Sequence, residues 1–288
     1  MKTKVIAVST TKGGTGKTTT AANLAAGLAH KMAAENTEGD VLLIDLDHQG
    51  SAADYFGVHK HTYDERRNPG GPCISQVLLG DKRPFNAMLG LRENLWLIPA
   101  TEMLRPTLQK LGIQDAVERL SPAGSRNRDH VFLPDVLAKR LKPVMGEFPY
   151  IVVDCPPNPG NLEAAIVKFA DFIVAPSQLE YLSVAGLWMF TELLAATRVS
   201  GEGKAQLLYV LPTMTSPIGK DGIPHQVAER DMLEHLRDMY GDKVLPPIPM
   251  TAAIKEAPAY SKSIFEYAPT SRAAHLYGIL VEKVVNNA

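Results

Sequence analysis

The segment running from Ser9 to Thr20, STTKGGTGKTTT, restricts the fold of this chain more than any other stretch. A short apolar run (5–9) precedes it. After it, Ala21, Leu24, Ala25, Leu28 and Met32 recur at helical spacing. The order is therefore strand, glycine loop, helix. Gly13, Gly14 and Gly16 let the backbone curl without Cβ clashes, so that successive N–H groups point inward at an anion. The helix beginning near Lys17 adds its N-terminal amides and dipole. In this context Lys17 reaches β- and γ-phosphates and the Thr18 hydroxyl ligates Mg²⁺, with Thr15 and Thr19 completing the cradle.

The rest of the chain repeats the alternation. Nearly continuous apolar runs at 41–44, 95–98, 150–153, 172–175 and 207–211 read as strands buried on both faces. A weaker candidate at 244–248 is confined to an edge by Pro246 and Pro247. Helical patterns separate these runs, including 102–120, which Pro106 and Gly112 could divide, and 271–285. The expected fold is α/β: a doubly wound, mostly parallel sheet flanked by helices, with 1–288 as one P-loop domain. Two polar stretches, 59–72 and 121–130, read as loops or insertions.

Two acidic positions follow buried strands. VLLIDLDHQG (41–50) sets Asp45 and Asp47 at a strand's C-terminal edge, where open α/β sheets bind ligands. YIVVDCPPNPG (150–160) delivers Asp154 in the same way, as a carboxylate for a Mg²⁺-bound water. Either pattern alone is common in strands and caps. Their spacing after the glycine loop gives them weight.

K-G-G-T-G-K-T-T resembles the deviant Walker A box of the ParA/MinD family, most closely its short partition ATPases. D-L-D-H-Q-G is similar to that family's D-L-D-P-Q-G switch, with His48 replacing the proline, and D-C-P-P resembles its D-x-P-P turn. The likeness extends to EYLSVAGL (180–187), VLPTM (210–214) and KEAPAYSKSIFEYAPTSRAA (255–274), covering nearly the whole chain apart from the two loops. It implies an ATP-dependent homodimer in which Lys12 reaches the phosphates of the partner's ATP. It implies that Asp47 orients the attacking water, supported by Asp45 and Gln49, and that Asp45 and Asp154 serve Mg²⁺ with Thr18. Pro212 would border the adenine. It also implies a stimulating adaptor of ParB type. No arginine is placed as an accelerating finger, so unstimulated hydrolysis should be slow.

Composition bounds the partners. A formal net charge of -1 offers no bulk field for nucleic acid or anionic lipid. Family members often carry arginines after the Ile-Pro pair, where this chain has Met250 and Ala253; Lys255, Lys262 and Arg272 remain. Non-specific DNA, and with it nucleoid association, stays open. With the glycine loop so near Met1, short partition ATPases leave no room for an N-terminal DNA-binding domain. The last helix has few basic residues, which argues for docking rather than membrane binding. No run approaching about eighteen apolar residues is apparent. Two cysteines, Cys73 and Cys155, fit a reducing cytoplasm. They also keep one rival open, a nitrogenase-iron-protein-like reductase, beside an ATP-dependent small-molecule ligase of the same fold. His59-Lys60-His61 reads as a solvated loop rather than a metal site.

Overall fold

A computed structural model describes residues 2–64, 66–68, 70–122, 127, 129–157 and 160–288, apart from the side chain at 161. Eight strands form one sheet: β1 Lys4–Val8, β2 Val41–Asp45, β3 Leu89–Arg92, β4 Leu95–Ile98, β5 Tyr150–Asp154, β6 Phe172–Ser177, β7 Gln206–Thr215 and β8 Ile248–Pro249. Their spatial order is β3-β4-β2-β5-β1-β6-β7-β8. All neighbours run parallel except β3 with β4.

The helices are α1 Lys17–Ala34, α2 Ser51–Tyr55, α3 Lys60–Tyr63, α4 Ile74–Leu79, α5 Leu104–Leu120, α6 Val136–Arg140, α7 Glu163–Phe169, α8 Tyr181–Val199, α9 Val227–Tyr240, α10 Ala252–Glu256, α11 Ile264–Tyr267 and α12 Arg272–Asn287. They cover both faces of the sheet. Along β1, Val5 and Ala7 join the core under α4 to α9, while Ile6 and Val8 join the core under α1, α2, α11 and α12. A strand apolar on both sides is what a sheet covered on both faces requires.

Several expectations need correction. The 244–248 strand contracts to Ile248–Pro249, with Val244 making only an isolated bridge to Val210. Pro106 does not divide α5, because it falls in the first turn, where helix N–H groups lack intrahelical partners anyway. The 59–72 stretch contains α3; positions 65 and 69, like 123–126 and 128 of the second loop, lie outside the described residues. One helix, Tyr181–Val199, is long and apolar enough by composition to cross a membrane, with mean hydropathy 1.2. Here it lies on the sheet through Val184, Leu187, Phe190 and Leu194. The final helix docks as expected. Its Ala273, Leu276, Tyr277, Leu280, Val281 and Val284 are buried, and Ser271 caps it by accepting from the Ala274 N–H.

A fully buried asparagine ties the site's supports together. Asn23 on α1 donates from Nδ2 to the Thr19 carbonyl (2.8 Å) and to the Tyr55 hydroxyl of α2 (2.9 Å). Its Oδ1 accepts from the Ile264 N–H of α11 at 2.8 Å.

Candidate functional site: a phosphate cradle at the strand ends

Strand order assembles the site. Because β2, β5 and β1 are adjacent, Asp154 lies in register with both Asp45 and Val8. Two acids and the glycine loop that follows β1 therefore meet at one edge. β6 and β7 extend that edge beyond β1.

Gly16 has φ 77 and stands as the N-cap of α1, so the loop turns into the helix through a conformation that side chains other than glycine resist. Gly14 is also left-handed, at φ 72. Thr15 is buried and held at two points: its hydroxyl lies 3.2 Å from that of Thr10, and its carbonyl accepts from the Thr213 hydroxyl at 2.8 Å. The cradle is thus anchored to β7.

The two loop lysines differ. Lys17 is 6% exposed, and its Nζ donates to the Lys12 carbonyl at 2.7 Å. Burial pulls its pKa down, while Asp154, Cys155 and Asp47 pull it up. Lys12 reaches instead to the β6–α8 junction. Its ammonium donates to Glu180 Oε2 (2.6 Å), to the Ser183 hydroxyl (2.9 Å) and to Gln178 Oε1 (3.4 Å). Gln178 in turn donates to the Gly14 carbonyl (3.1 Å) and to Met214 Sδ (3.3 Å). These partners on the β6–α8 junction were not assigned from the sequence. Their only signal was a polar cluster, SQLE, directly after a buried strand.

The acids divide by what already satisfies them. Asp45 is fully buried and accepts the Asp47 N–H (2.8 Å) and the Ala52 N–H (3.1 Å), so it clamps the switch turn to α2. Burial, then the nearby Asp154 charge, raises its pKa well above the usual carboxylate range. Asp47 accepts from the Gln49 N–H at 3.0 Å, and its Oδ1 lies 3.4 Å from His48 Nδ1. Gly50 closes the turn at φ 69; a Cβ there would meet the Ala100 carbonyl oxygen at 2.8 Å. Asp154 is different. Neither of its buried oxygens makes a hydrogen bond of ordinary geometry, although the Thr18 hydroxyl is close enough to favour the ionised form. Burial pushes its pKa up to about 7; Thr18 lowers it, Asp47 raises it and Lys17 lowers it. A buried, unbonded carboxylate beside a threonine hydroxyl suits a hydrated Mg²⁺, which would supply the missing partners. The Asn158 and Pro159 of the following turn lie outside the described residues.

Beside the cradle lies a cavity of about 230 Å³ lined by Gly16, Thr19, Thr213, Met214, Pro249 and Tyr277, among others. Its mostly apolar wall suits a flat heteroaromatic base. Pro212 is not among the lining residues: it sits within β7 opposite Ser177, and its neighbours Thr213 and Met214 line the cavity. Lys255 also lines this cavity. Arg272 donates to the Ile218 and Gly219 carbonyls at 2.9 and 2.6 Å, which fixes the 216–224 loop. Among the described residues no group of three or more His, Cys, Asp and Glu side chains could hold a metal ion, and His59 and His61 stack on each other. Both cysteines are buried, at 0% and 1% exposure, and burial pushes the Cys155 thiol up. Neither is available to bridge a cluster between subunits.

Known proteins match this arrangement. Residues 3–202 match the AAA domain family. The chain is 31% identical over 287 residues to the sporulation initiation inhibitor protein Soj of Bacillus subtilis, covering 99% of each chain. It is 30% identical to the chromosome-partitioning ATPase Soj of Thermus thermophilus, over 99% of this chain and 96% of that one. Cobyrinic acid a,c-diamide synthase of Mycobacterium smegmatis, solved with a bound ATP analogue and magnesium, superposes with a TM-score of 0.74. It is 27% identical, over 99% of this chain and 94% of that one.

Proposed function

The chain belongs to the ParA/MinD family of deviant Walker A P-loop ATPases, and from that premise we propose that it is an ATP-dependent dimerising switch that partitions or positions DNA or a large cargo. The observation that carries this reading is the division between the two loop lysines. Lys17 is buried in the cradle, whereas Lys12 stands at its rim on exchangeable side-chain partners. A lysine used within its own subunit would need no second position.

In this reading the loop amides from Gly13 to Thr19 and the α1 dipole bind the triphosphate, with Lys17 neutralising its β- and γ-oxygens. Thr18 and Asp154 hold Mg²⁺, and Asp45 acts on that site by fixing the switch turn. Mg²⁺ bound there supplies charge neutralisation for phosphoryl transfer. Asp47, at the turn's outer edge, orients the attacking water. Lys12 leaves Glu180 and crosses to the partner's phosphates. Dimer population then follows the bound nucleotide, so binding free energy sets a switch. A ParB-type adaptor accelerates the slow hydrolysis, and the protein works in the cytoplasm. Non-specific DNA is the proposed track, through Lys262 and the charge of Arg272. Lys255 borders the base cavity and Met250 brings no charge, so the salt dependence of that binding should be shallow.

ATPase rate per subunit, measured across protein concentration, tests the proposal. A specific rate that climbs with concentration supports the dimer switch. A rate that is flat, and absent until a metabolite is added, supports instead an ATP-dependent ligase like the cobyrinic acid synthase that shares the fold.

A further inference from the structure

The stretch 59–72, which stands outside the family likeness, is firmly mounted on the rest of the fold. Asp64 is buried and accepts from the Arg66 N–H and from Arg66 Nη2, each at 3.1 Å. Arg66 reaches on to Glu102 at 2.8 Å, and Asn68 Nδ2 donates to the Thr62 carbonyl at 3.0 Å. Tyr63 on α3 is unlike these neighbours. It is 1% exposed, and its hydroxyl, shielded from water, has no hydrogen-bond partner among the described residues. A buried tyrosine ordinarily finds a partner for its hydroxyl, as Tyr55 does with Asn23 at 2.9 Å. Phenylalanine would fill the same space without burying a polar atom, so packing does not account for a tyrosine here.

The surroundings of the hydroxyl locate its use. It stands against Gly50, which closes the switch turn: a Cβ at Gly50 would come within 3.5 Å of it. The Gly50 N–H donates to the Asp47 carbonyl at 2.9 Å, so the position of Gly50 follows that of Asp47. Burial first, then the charges of Asp54, Asp45 and Asp64, push the pKa of Tyr63 up, so it keeps its proton and remains a donor. A donor on a rigid mount, beside the turn that carries Asp47, can fix where that turn comes to rest.

We propose that Tyr63 is a positioning residue for Asp47: its hydroxyl donates to a main-chain carbonyl of the 47–50 turn when that turn closes on a γ-phosphate. The inference rests on the role given above to Asp47, and it is independent of dimerisation. In the arrangement described here the bond is unmade, so its contribution enters only with closure. A contact made in one state and not in the other is what a nucleotide needs to shift the balance between them. Tyr63 therefore helps the turn tell a triphosphate from a diphosphate.

Calorimetry on the full chain compares Mg-AMPPNP with Mg-ADP in the unaltered protein, Tyr63→Phe and Tyr55→Phe. Tyr63→Phe should weaken AMPPNP binding about three- to tenfold, the worth of one hydrogen bond, and leave ADP binding unchanged. Its urea midpoint without nucleotide should stay level or rise, because the hydroxyl has no partner to lose. Tyr55→Phe removes a bond already made, so its midpoint should fall while both nucleotides are affected alike. Unchanged AMPPNP affinity in Tyr63→Phe overturns the inference. An equal loss for both nucleotides, or a lowered midpoint, overturns it too, since either makes the hydroxyl merely structural. If the unaltered protein binds neither nucleotide, the ATP reading itself fails and the role of Tyr63 falls with it. A flat ATPase rate across protein concentration would remove the dimer switch alone and leave the Tyr63 contrast standing.

Discussion

The two lysines of the glycine loop sit five residues apart in opposite surroundings. Around Lys17 almost everything is fixed: a left-handed N-cap, a threonine pinned to β7, and an ammonium sunk to 6% exposure. Around Lys12 the partners are side chains from another element, and 34% of the lysine side chain remains open to water. Buried charges held by the fold are costly to disturb, whereas an exposed ion pair is worth about 0–1 kcal/mol. One lysine is built into the cradle, and the other is held where a small change in free energy can release it.

Breaking the fixed side should have the largest effect. Lys17→Ala removes the cradle's only buried cation among the described residues, and hydrolysis should fall about 10³-fold together with a loss of Mg-ATP affinity in calorimetry. On the exchangeable side, Lys12→Ala should lower hydrolysis by about 10²- to 10³-fold while ATP affinity changes little, since a trans cation acts mainly on the transition state. Equal loss of binding in both variants would erase the distinction between them.

The supports come next. Asn23→Ala leaves the Ile264 N–H and the Tyr55 hydroxyl without their buried partner, so urea denaturation should report a loss of about 2–3 kcal/mol. A smaller effect sharpens the contrast from the latch side. Glu180→Gln weakens only an exposed pair, so the ATP concentration giving half-maximal dimer should drop about threefold. A tenfold or larger shift would mean that the latch is stronger than its exposure allows. Smallest of all, thiol reagents should leave Cys73 and Cys155 untouched in the native protein, because both are buried and the Cys155 thiol is pushed up by desolvation.

How much of this could be read from sequence followed the range of the interactions. The buried strands announced themselves, because residues covered on both faces must be apolar throughout; β4 and β5 begin at the expected residues. β3, LGLR, did not: it is a short edge strand with a glycine and exposed positions, held only by its antiparallel neighbour. The phosphate loop is local in sequence, so its glycines, lysines and threonine were readable. The partners of Lys12 lie more than 160 residues away, brought close only because β6 lies beside β1. Which residues of β7 line the cavity beside the cradle was hard to read for a related reason. In a strand successive side chains alternate, and which of Pro212, Thr213 and Met214 lines the cavity depends on the bend in β7, where Met214 adopts φ 56.

The claim that Lys12 leaves its own α8 to complete a sister site is tested most directly in a background where ATP is bound and not consumed. Light scattering coupled to size exclusion should show Asp47→Ala as a dimer at saturating Mg-ATP and the Asp47→Ala/Lys12→Ala pair as a monomer that still binds ATP. A monomeric Asp47→Ala protein, or a double variant that dimerises as well as the single one, would contradict the account.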